Sequence, residues 1–85
     1  MSTHMIEKAL FDIAASSANT ADYQRSPTTF LSAYALCSAE RRLVLELDVG
    51  EMLARQVNPM LAMRAFTAVR GRQSLPEYMR QIQAR

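Results

Sequence analysis

The chain has 85 residues and a formal charge of +2, with 49% hydrophobic side chains, two glycines and three prolines. That length provides one domain, residues 1–85, with a single small core, and excludes a second domain or a deep enclosed substrate cavity. The apolar residues fall in short runs. They are too many for a disordered chain, and no run approaches the roughly 20 residues of a membrane span. No charged region followed by an apolar one marks an export signal, so the expected location is the cytoplasm.

The only cysteine, Cys37, excludes an internal disulfide and a Cys-rich metal site, and fits a reducing compartment. Within ALCSA it reads as a small, partly buried side chain rather than a nucleophile. The only histidine, His4, lies in MSTHM. Residues 1–4 read as a frayed terminus or as residues added for expression, and not as a metal ligand. Arg64, Arg70, Arg72, Arg80 and Arg85 concentrate toward the C-terminal third, whereas the acids are scattered from Glu7 to Glu77. The expectation is a solvated basic face, or one that meets an anionic partner surface.

In chain order, the first helix is expected from about Thr3 to Ala18, with Ile6, Leu10, Ile13 and Ser17 on one stripe and Phe11 off it. A weak second segment carries Tyr23, capped by Asn19 or Thr20. Ser26 and Pro27 start a helix over TTFLSAYAL that places Phe30, Leu31 and Tyr34 together. Ser38 opens AERRLVLEL, with Leu43, Val44 and Leu47 facing inward and Arg41, Arg42 and Glu46 outward. Asp48 and Glu51 resemble a capping box for the segment carrying Met52 and Leu53, with Val57 just beyond. Asn58 and Pro59 then start, and Gly71 ends, a helix of about three turns that is apolar most of the way round and therefore expected to be covered on several sides. After a loop at Gly71 to Gln73, Ser74 and Glu77 cap a last helix carrying Leu75, Tyr78, Met79 and Ile82.

No alternating apolar and polar run bounded by turns is present, so no strand is expected. The reading is all-α: a compact orthogonal array of five to seven short helices around the central helix Asn58 to Gly71.

Catalysis needs a constellation that these residues do not compose. One histidine cannot build a two-His, one-carboxylate iron site or serve a Ser or Cys nucleophile elsewhere in the chain. Two glycines make no phosphate loop. A helix-turn-helix is disfavoured because the most arginine-flanked helix is also the most apolar, and a recognition helix needs a polar face. Phe30, Tyr34, Phe66 and Tyr78 fall at core spacings rather than in a stacking row. Met52, Met60, Met63 and Met79 either fill gaps or, beside Arg64 and Arg70, supply a pliable docking face.

The stretch SPTTFLSAYALCSAERRLVLELDVGEMLARQVNPMLAMRAFTAVRGRQSLPEYMRQI, about two thirds of the chain, resembles the small, α-type subunit of the protocatechuate 4,5-dioxygenase family of aromatic-ring-opening extradiol dioxygenases, the LigA-like fold. The likeness lies in the order and spacing of caps: a Pro-started helix, a polar cap, an apolar helix followed by Asp48, the Asn58 turn, a long apolar helix, Gly71, and a terminal helix with Tyr78. The family usually has Gly just ahead of the Asn-containing turn, where this chain has Gln56 and Val57. The resemblance implies a non-catalytic subunit that packs on a larger catalytic subunit and helps close its active site. It also implies no cofactor on this chain, the Fe(II) and its ligands belonging to the partner.

The partner surface expected on this reading is Met63, Arg64, Thr67 and Arg70, with Tyr34 and Asn58 near the start of the central helix. The alternative is a stand-alone helical adaptor that recognises a protein or peptide. A more distant likeness is to recognition domains of ribosomally made peptide precursors; the chain's end at Arg85 favours a separate module over a precursor. Nucleic acid and membrane are not expected partners, and a homo-oligomer is compatible with the sequence.

Overall fold

The computed structural model describes residues 3 to 83, and these are all-α: seven short α-helices and one 3-10 turn, with no strand. The helices are α1 (Thr3–Ala14), α2 (Ser17–Arg25), α3 (Pro27–Leu31), α4 (Ser38–Glu46), α5 (Val49–Ala54), α6 (Pro59–Arg70) and α7 (Leu75–Gln83), with the 3-10 turn at Arg72–Ser74. The envelope measures 31 × 29 × 17 Å. Among the described residues, no helix is long and apolar enough to cross a membrane. Met1, Ser2 and Arg85 lie outside the described residues, and His4 is an exposed residue in the first turn of α1.

Helix α6 is the hub, touching α1, α2, α5 and α7. Its ends are set as the sequence dictates. The Asn58 side chain accepts from the N–H groups of Met60 at 2.8 Å and Leu61 at 3.4 Å, Pro59 occupies the first turn, and Gly71 leaves the helix at φ 90°. The core is one cluster built from all the helices, including Ile6, Leu10 and Ile13 of α1, Leu43 and Val44 of α4, Met52 of α5, and Ala62, Ala65 and Phe66 of α6.

Several local expectations are corrected. The first helix stops at Ala14, because Ser16 caps a new helix by accepting from the Asn19 N–H at 3.1 Å. Asn19 and Thr20 cap in the opposite sense. Asn19 Nδ2 donates to the Asp12 carbonyl at 2.8 Å and Thr20 Oγ1 to that of Ile13 at 2.7 Å, satisfying carbonyls that the end of α1 leaves open. Ser17 is consequently exposed.

Helix α3 closes after Leu31, where the Ser32 hydroxyl donates to the Thr29 carbonyl at 2.6 Å, so Tyr34 lies in a loop. Cys37, not Ser38, holds the cap position of α4 and is exposed; its N–H donates to the buried carboxylate of Glu40 at 2.9 Å. Ser74 turns back to the Gly71 carbonyl and ends a 3-10 turn. On α7 only Tyr78 is fully buried, while Leu75 and Met79 are 41% and 46% exposed.

Candidate functional site

Helix α6 is covered by α1, α2, α5 and α7, as its apolar composition leads one to expect, and part of its circumference is left bare. Ala62, Ala65 and Phe66 are buried, and Leu61, Met63 and Val69 are half-buried. The opposite side is open. At 100° per residue, Met60, Met63, Arg64, Thr67 and Arg70 fall within about 120° of arc; Met60, Arg64 and Arg70 are exposed there, while Met63 and Thr67 are half-buried. Met60 is 59% exposed, the most open of the large hydrophobic side chains among the described residues, and Arg64 and Arg70 are exposed. The bare part is what four neighbouring helices leave uncovered in a chain this short.

Each side chain of this face is held in a definite way. The Thr67 hydroxyl donates to carbonyls of its own helix, Met63 at 3.0 Å and Arg64 at 3.3 Å, so its polar atom is spent internally. The Arg70 guanidinium lies 5.2 Å from the centroid of the Phe66 ring, and its Nη2 is 3.5 Å from the Glu46 carbonyl. Phe66 in turn meets Tyr78 edge-on, with centroids 5.7 Å apart, and the Tyr78 hydroxyl donates to the Pro59 carbonyl at 3.3 Å. Tyr78 thus seats α7 against the first turn of α6. Glu7 of α1 accepts the Asn58 N–H at 2.8 Å and fixes the other flank.

Of the six residues expected at a partner surface, the structure gathers Met63, Arg64, Thr67 and Arg70 on one side of α6. Asn58 sits at the end of this helix with its side chain engaged in the cap. Tyr34 stands apart: its hydroxyl donates to Asp12 Oδ2 at 2.6 Å and its ring stacks on Phe30 at 5.9 Å. Burial, and the hydrogen bond and charge of Asp12, raise its pKa. Met60, which the sequence offered either as a gap-filler or as part of a docking face but not among the six, is exposed beside them; its spacing of three and four from Met63 and Arg64 carried the signal.

A groove of about 410 Å³ between α4 and α5 is lined by Ser38, Ala39, Arg42, Leu43, Glu46, Asp48 and Arg55. Its two cations and two carboxylates give it no preferred ligand charge, and Arg55 is engaged with Glu51 at 3.2 Å. Among the described residues, no group of three or more His, Cys, Asp or Glu side chains is placed to hold a metal ion.

Comparison with protein-family models, with curated proteins and with solved structures finds no match to this chain.

Proposed function

We propose that this protein is a non-catalytic, partner-binding subunit, and that the open side of α6 is the surface it presents. The observation that carries the reading is that side's composition: methionine and arginine with no carboxylate, on the helix that organises the core. Arg and Met are enriched in the cores of protein interfaces, and Asp and Glu are depleted there.

The partner that best fits the sequence resemblance is the larger, iron-bearing subunit of a cytoplasmic extradiol-type aromatic ring-cleaving dioxygenase, with this chain supplying interface and part of the lid. At Gln56 the chain departs from that family, which usually has Gly just ahead of the Asn-containing turn; the backbone there is left-handed at φ 67°, as it is after many helices.

The test is co-expression with a large catalytic subunit of an extradiol dioxygenase. The expected result is a stable complex whose ring-cleaving activity falls when this chain is withheld. A catalytic subunit that neither retains this chain nor changes activity in its presence removes the dioxygenase reading. A non-oxygenase protein that binds the same side of α6 instead supports a stand-alone adaptor.

A further inference from the structure

We draw no further inference here: the strongest candidate, the groove between α4 and α5 lined by Arg42, Glu46, Asp48 and Arg55, carries nothing because Asp48 and Arg55 are engaged with Glu51 and nothing in the structure shows what would occupy it.

Discussion

Tyr78 meets Phe66 edge-on at 5.7 Å between ring centroids, and through this pair the last helix is fastened to the hub of the fold. Phe66 is fully buried, so Phe66→Ala removes both the ring's own burial and the surface on which Tyr78 rests. The expected loss is about 3–5 kcal/mol of unfolding free energy. Tyr78→Phe keeps the ring and loses only the bond to the Pro59 carbonyl, an expected cost of about 0.5–1.5 kcal/mol. Urea denaturation of the two variants checks both values and their order.

Gln56 and Gly71 test the backbone from opposite directions. Gln56 is exposed and holds φ 67°. Gln56→Gly is expected to stabilise by about 0.5–1 kcal/mol, the left-handed strain relieved less the extra freedom glycine gains on unfolding. Gly71 holds φ 90°, and a Cβ there would stand 2.6 Å from the Gln73 side chain. Gly71→Ala is expected to destabilise by at least about 1 kcal/mol. Melting temperatures that move in opposite directions for the two variants are the check.

Alkali is expected to weaken the fold through its tyrosines. Burial raises the pKa of Tyr23, Tyr34 and Tyr78, and for Tyr34 the hydrogen bond and charge of Asp12 act in the same sense. The folded chain therefore holds these protons more tightly than the unfolded chain, whose phenols titrate near pH 10. The stability they contribute is intact below about pH 10 and is lost as pH rises from there through the folded values. Urea midpoints measured between pH 8 and 11 are expected to stay level to about 10 and then fall, more gently in Tyr34→Phe.

Much of this architecture is written in local chemistry. Asn58, Pro59 and Gly71 bound α6 as read, because each acts on its own few residues. The inward face of α4, Leu43, Val44 and Leu47, is buried as its spacing requires. Where reading failed, the deciding partner was distant or had two uses. Asn19 and Thr20 have the chemistry of N-caps, and only the fold of α2 back over α1 shows them serving carbonyls instead. Ser74 is likewise a good cap whose hydroxyl goes to Gly71. Tyr34 left its helix for Asp12, 22 positions away, which no periodicity records. Which side of α6 is left bare was not legible, because an apolar helix shows its uncovered side only once the neighbours that cover the rest are placed.

Substitutions on that open side are expected to spare the fold. Met60→Asp and Arg64→Glu change exposed positions, so each is expected to alter unfolding free energy by no more than about 0.5 kcal/mol. The same changes place an unpaired charge, or one of the wrong sign, in the proposed interface, where the cost is about 2 kcal/mol or more. Unfolding curves beside binding curves separate the two effects.

The proposal that the exposed side of α6 is the working surface is tested most directly by light scattering on this chain co-expressed with a large catalytic subunit of an extradiol dioxygenase. Wild type and a control, Thr28→Glu on the exposed side of α3, are predicted to elute as the complex, and Met60→Asp as two separate folded species. A complex that survives Met60→Asp and Arg64→Glu together, at wild-type affinity, would contradict it.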